Sequence, residues 1–144
     1  MRTFGRDVGT RTVGVALSDA LGMTAQTLTT LRRAVLRTDL AALRKLAQTH
    51  EVTRAVVGLP LNMDGSEGAS AARSRAFGAA LARALEVEVH YWDERLSTVA
   101  AHRALRESDL SGERRRALVD QVAAALILQG WLDAQRPTAP DESE

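Results

Sequence analysis

The amino-acid sequence predicts an α/β protein in which a five-stranded mixed sheet, its first three strands antiparallel, is flanked by helices. Three observations point there. Near the N-terminus, apolar residues alternate with small or polar ones over short runs separated by turn-forming residues, which is the period of strands. Beyond that, apolar residues at helical spacing alternate with further short apolar runs, the order of βα units. The chain then closes with a long alanine- and leucine-rich helical stretch.

Taken in order, Phe4–Val8 reads as the first strand and Gly9-Thr10-Arg11 as the turn into the second, where Val13, Val15 and Leu17 alternate with small residues. Threonine-rich Thr24–Leu31 reads as the third strand. Thr38 is placed to cap a helix that carries Leu40, Leu43, Leu46 and Ala47 along one face. Ala55–Val57 is a brief buried strand ending at Gly58, and Gly58–Gly68 (GLPLNMDGSEG) is a loop by its Gly, Pro, Asn and Asp-Gly content. Ala69–Leu85 is helical, with Phe77, Leu81 and Leu85 spaced by four. Val87, Val89 and Tyr91 alternate in a fifth strand that stops at Asp93-Glu94. Ser97 caps a short helix running to Arg106, Ser108–Gly112 is a polar break, and Arg114–Ala134 is the strongest helix. One domain is expected over residues 1–136 and a flexible acidic tail over 137–144. Strands joined by tight turns run antiparallel, whereas those joined through helices run parallel.

With 45% apolar residues the 144-residue chain can build one core, and with 3% aromatics alanine, leucine and valine must fill it. The absence of cysteine excludes a disulfide framework and a thiolate metal site. His50, His90 and His102 lack zinc spacing. No leader-like segment opens the sequence, and the apolar run Val122–Leu128 is too short to span a bilayer, so a cytoplasmic protein with no membrane contact is expected. The net charge of +1 is unevenly spread, with three acids in the last eight residues. Lys45 is the one lysine, so nearly all cations are arginines, whose planar fork fits phosphate. A GC-rich genome would favour the same arginines and alanines without any functional cause.

Three carboxylates stand out. Asp7 lies in a strand otherwise fit to be buried, where an ionised group needs a cation or several donors. Glu94 comes just past the end of the fifth strand, and carboxyl ends of strands in α/β sheets are where sites gather. Asp120 sits in the last helix on a face with Ala117, Ala123 and Ala124, which permits a close approach to the sheet. Each has a plain structural reading when taken alone: a turn-making carboxylate, an acid at a helix start, a solvated helix residue. Together they form a set of oxygen ligands suited to Mg²⁺ or Mn²⁺ and to metal-assisted hydrolysis of a phosphodiester.

The stretches GRDVGTRTVGVALSD, GLPLNMDGSEG, WDERLST and VDQVAAALILQ resemble, in that order, the signature stretches of the YqgF family, also called RuvX, and the resemblance runs from Met1 to about Asp133. It implies an RNase H-like fold and a metal-dependent nuclease related to Holliday-junction resolvases, acting on branched DNA or maturing the 5′ end of precursor 16S ribosomal RNA. By motif position it implies Asp7, Glu94 and Asp120 as catalytic acids and metal ligands, with Asp93 the alternative to Glu94. Two positions depart from the family pattern: Arg6, where an aliphatic residue is usual, and Thr12, where a base is common.

Candidate contacts to nucleic acid are Thr10 and Arg11 in the first turn, Asn62 and Ser66 in the long loop, Arg95 beside Glu94, and Arg114, Arg115 and Arg116, which the helix dipole opposes unless an anion relieves them. A weak homodimer through the alanine-rich 69–85 helix is also expected. Two other readings stay open here: a single-domain relative of actin-like ATPases gripping nucleotide phosphates through Asp7–Thr10, and a ribosomal-RNA-binding protein that does not cut.

Overall fold

The computed structural model describes residues 2–8, 12–96 and 113–135, without the side chains of residues 2, 3, 6–8 and 113–119. The Gly9–Arg11 turn, the Ser97–Arg106 helix, the break at 108–112 and the tail at 137–144 lie outside the described residues. The strands are β1 (Arg2–Val8), β2 (Thr12–Ser18), β3 (Ala25–Arg32), β4 (Val52–Leu59) and β5 (Glu88–Asp93). The helices are α1 (Leu36–Thr49), α2 (Ala69–Leu85) and α3 (Glu113–Gln135), and a single 3-10 turn, Glu94–Leu96, follows β5.

One five-stranded sheet has the order β3-β2-β1-β4-β5. β1–β2 and β2–β3 are antiparallel, and β1–β4 and β4–β5 are parallel, as the connections require. The central strand is β1, and the carboxyl ends of β1, β4 and β5 share one edge of the sheet.

Strand alternation sorts the core into two layers. On one face Phe4, Val13, Val15, Ala55 and Val57 meet Leu43 and Ala47 of α1 and Phe77 and Leu81 of α2. On the other, Ala16 and Val56 meet Ala123, Ala124, Ile127, Leu128, Trp131 and Leu132 of α3. The small residues that alternate with the valines therefore face α3. A Cβ at Gly5 would strike Leu128 and the Ala124 carbonyl, and one at Gly14 would strike the backbone of Asp120. The helix lies almost against the sheet because these positions lack side chains.

Most element ends lie within two residues of the sequence reading, and two starts differ for reasons the structure shows. Thr38 is not the cap of α1, which begins at Leu36 with no side-chain cap on Val35. Asp39, buried inside the first turn, accepts a hydrogen bond from the Ala34 N–H at 3.0 Å and stands near Arg33, so a carboxylate reaching back takes the capping role. β4 starts at Val52, because Thr53 and Arg54 at its outer end mask the apolar pattern. Both α1 and α2 turn into strands through a non-glycine residue in the left-handed region, Glu51 (φ 55°) and Glu86 (φ 56°).

Candidate functional site

The carboxyl edge of the parallel strands gathers the acids. Glu94 is the first residue after β5, in the 3-10 turn, and is buried (5% exposed). It fits because β4 presents Gly58, where a Cβ would lie 2.5 Å from Glu94 Oε1 and 2.6 Å from Ile127 Cδ1 of α3. Asp120, near the middle of α3, is buried to 2%. Its backbone rests on Gly14 of β2, and its Oδ2 accepts a hydrogen bond from the Thr12 hydroxyl.

β1 runs between these two positions. Asp7 is paired in register with Gly14 on one side, and on the other it follows Arg6, which is in register with Val57, the residue before Gly58. The backbone thus sets Asp7 between the glycine that admits α3 at Asp120 and the glycine that admits Glu94. The carboxylate of Asp7 itself lies outside the described side chains.

Asp93 and Glu94 have opposite surroundings. The Asp93 carboxylate accepts from the Arg95 N–H (2.9 Å), Nε (3.1 Å) and Nη2 (2.8 Å), and the guanidinium holds its pKa below the usual carboxylate range. Glu94 is pushed up to about 7, mainly by burial and secondarily by the charge of Asp93. Asp93 is thus committed to Arg95, while Glu94 is the desolvated acid of the pair.

The other nominated residues divide clearly. Arg95 spends its guanidinium on Asp93 and on the Met63 carbonyl (Nη1, 3.2 Å), which fastens the 58–68 loop to the end of β5. Asn62 and Ser66 bind each other, Nδ2 to Oγ at 2.9 Å, and Ser66 also donates to Asp64 Oδ1 from its N–H (2.9 Å) and its hydroxyl (2.5 Å). At the far end of the loop Glu67 forms a paired contact with Arg75 Nε (2.6 Å) and Nη2 (2.9 Å), and Arg75 stacks over Tyr91. Thr10 and Arg11 lie outside the described residues, as do the side chains of Arg114, Arg115 and Arg116. Sequence reasoning missed Gly14 and Gly58, and Thr12, noted only as a departure from the family pattern, hydrogen-bonds Asp120 in the structure. A signal existed for the glycines: each sits at an otherwise apolar strand position next to a candidate acid or its register partner.

A hard divalent cation fits what is present. Both described acids are buried, all their donors are oxygen, and the Gly58 position leaves Glu94 Oε1 the room that a Cβ would fill. Among the described residues no group of three potential metal ligands stands together. No helix among the described residues is long and apolar enough to cross a membrane.

Residues 1–134 match the family model described as RuvX, Holliday junction resolvase. The chain is 62% identical over 141 residues to a Myxococcus xanthus protein named as a candidate pre-16S rRNA nuclease, covering 98% of this chain and 93% of that one. A Moorella thermoacetica protein of the same name is 58% identical over 133 residues, covering 92% and 95%. Among solved structures, Thermus thermophilus RuvC in complex with a Holliday junction substrate superposes with a TM-score of 0.57 at 15% identity, over 94% of this chain and 95% of that one. That likeness establishes the RNase H-like fold. The extent of the family match and the identity to full-length relatives lead to one conclusion: the chain belongs to the RuvX family.

Proposed function

We propose that this protein is an endonuclease that hydrolyses phosphodiesters in structured nucleic acid with Asp7, Glu94 and Asp120 as its catalytic acids and Mg²⁺ or Mn²⁺ as cofactor. The carrying observation is the burial of Glu94 and Asp120 on either side of β1, each admitted by a strand glycine, with Asp7 in register between them. Such carboxylates are costly unless protonated, hydrogen-bonded or neutralised by a cation, and a cation at this edge would relieve both. Membership of a family described by junction resolution, and relatives named for pre-16S rRNA, support nuclease chemistry; a cytoplasmic location is part of the proposal.

When bound, a divalent cation would supply a Lewis-acid charge that eases formation of hydroxide and neutralises the departing oxygen. The residues of the chain arrange the rest. Thr12 fixes the orientation of the Asp120 carboxylate, Gly58 keeps Glu94 Oε1 clear of the strand, and Arg95 draws the charge of Asp93 away from the pair. Thr10, Arg11 and Arg114–Arg116 are proposed as phosphate contacts, whereas Arg95, Asn62 and Ser66 serve by holding the loop that faces the substrate. An ATPase reading rests on Asp7–Thr10 alone and leaves Glu94 and Asp120 without a task.

Cleavage of a synthetic four-way DNA junction and of a precursor-16S RNA, measured side by side with Mn²⁺, tests the proposal. Cutting is expected to disappear in excess chelator. In Asp7→Asn, Glu94→Gln and Asp120→Asn it should fall on the order of a thousandfold while binding changes little. Undiminished cleavage by any of the three removes that residue from the site. Binding without cleavage under every metal condition would favour the RNA-binding alternative.

A further inference from the structure

The aromatic side chains of this protein, two Trp, two Phe and one Tyr, are all committed to packing. Phe4, Phe77 and Trp131 are buried, while half-buried Tyr91 lies against Gly78 and half-buried Trp92 against Gly130. The exposed apolar side chains next to Arg95 are aliphatic instead. Met63, at the tip of the 58–68 loop, is 99% exposed, and Leu96, two residues after Glu94, is 66% exposed. They flank Arg95: one precedes it through the Met63 carbonyl that it binds, and the other follows it in the chain.

The loop that carries Met63 is held in place. The Asn62 N–H donates to the Ser66 carbonyl (2.9 Å) and the Gly65 N–H to the Asn62 carbonyl (2.9 Å). Gly65 adopts φ +88°, which brings the loop backbone close to the Arg95 guanidinium. A hydrogen-bonded loop that holds a fully hydrated methionine outward gains nothing for the fold from that side chain.

We infer that Met63, assisted by Leu96, is a wedge that enters the base stack of the nucleic-acid substrate beside the phosphate to be cut. The inference rests on the proposed nuclease activity. Phosphate and ribose are polar, so the apolar surface that a nucleic acid offers next to its backbone is the face of a base. Apolar side chains inserted at such steps unstack them, and methionine combines a flexible unbranched chain with favourable sulfur–aromatic contact. Unstacking costs least where pairing is already interrupted, at a branch point or the end of a helix. The wedge therefore selects structured substrates by shape, with no base-reading side chain required.

The test places 2-aminopurine next to the mapped cut in whichever of the two substrates the wild type cleaves. The non-cleaving Asp120→Asn protein is expected to raise its fluorescence several-fold on binding. Adding Met63→Ala and Leu96→Ala should remove more than half of that rise, while Met63→Leu retains it. In the active protein the double alanine change should slow cleavage about five- to tenfold with the melting temperature unchanged. A full rise with the double variant, or no rise with Asp120→Asn on a substrate that the wild type cuts, overturns the wedge and leaves the nuclease standing. Failure of the wild type to cut either substrate overturns both.

Discussion

At the scale of single residues, the environment of Glu94 sets a pH dependence that can be worked out. Its carboxyl titrates near 7 in the folded chain and near 4.5 when unfolded, because burial disfavours the charge. Below pH 4.5 both states are protonated and the full stability is present. Between about 4.5 and 7 the unfolded chain releases the proton first, so stability falls as pH rises, by at most about 3 kcal/mol. Melting curves of metal-free protein from pH 4 to 8 should show this slope, and Glu94→Gln should flatten it; parallel profiles would refute the assignment. Gly58→Ala probes the same pocket by geometry. The new Cβ would meet Glu94 Oε1 and the terminal carbon of Ile127, both ends of movable side chains. The expected outcome is a small loss of melting temperature and a large loss of cleavage, as Glu94 is pushed from its place. Equal losses of both would mean that Gly58 matters only for packing.

At the scale of elements, Gly14→Ala is the contrasting case. Its Cβ would meet the backbone of Asp120, which cannot step aside without moving α3. A destabilisation of about 1–3 kcal/mol or more is expected, readable by denaturant unfolding. The two glycines also show which part of the site the sequence discloses. Strand and helix periods are legible because each element buries one face, and the burial of Glu94 and Asp120 agrees with their standing out as acids among apolar residues. What a glycine faces depends on an element far away in the chain, so the seats of Glu94 and Asp120 emerge only once α3 is laid on the sheet. Asp39 illustrates the same limit: a threonine one residue earlier looks like the cap, but the carboxylate is the group that reaches the Ala34 N–H. The exits of α1 and α2 through Glu51 and Glu86 carry no glycine to announce them. Asn62, Ser66 and Arg95 are candidate phosphate contacts by residue type, and only the structure reveals that Asn62 and Ser66 bond each other while Arg95 holds Asp93 and the Met63 carbonyl.

At the scale of the whole molecule, assembly bears on the substrate. A four-way junction needs two symmetric cuts and so a two-fold dimer, whereas trimming one RNA end needs a single copy. The outward side of α2 places Arg73 and Arg83, and Arg75 already paired with Glu67, among Ala72, Ala76 and Ala79, so an anion between two such faces would favour their pairing. Sedimentation should therefore show a monomer that pairs when four-way junction DNA is added; a monomer that nicks the junction once would point to RNA end processing. The placement of α3 carries one more consequence, in time rather than space. Every seat on the sheet is complete once β5 is made, yet Asp120 belongs to α3, the last of the described elements, and under the proposed assignment would act only once that helix docks across β1 and β2. A chain emerging from the ribosome is synthesised N-terminus first, so a growing copy holds no complete set of acids until its final helix is free. If these acids are the catalytic set, a nuclease built in this order would gain its activity only after α3 has left the ribosome.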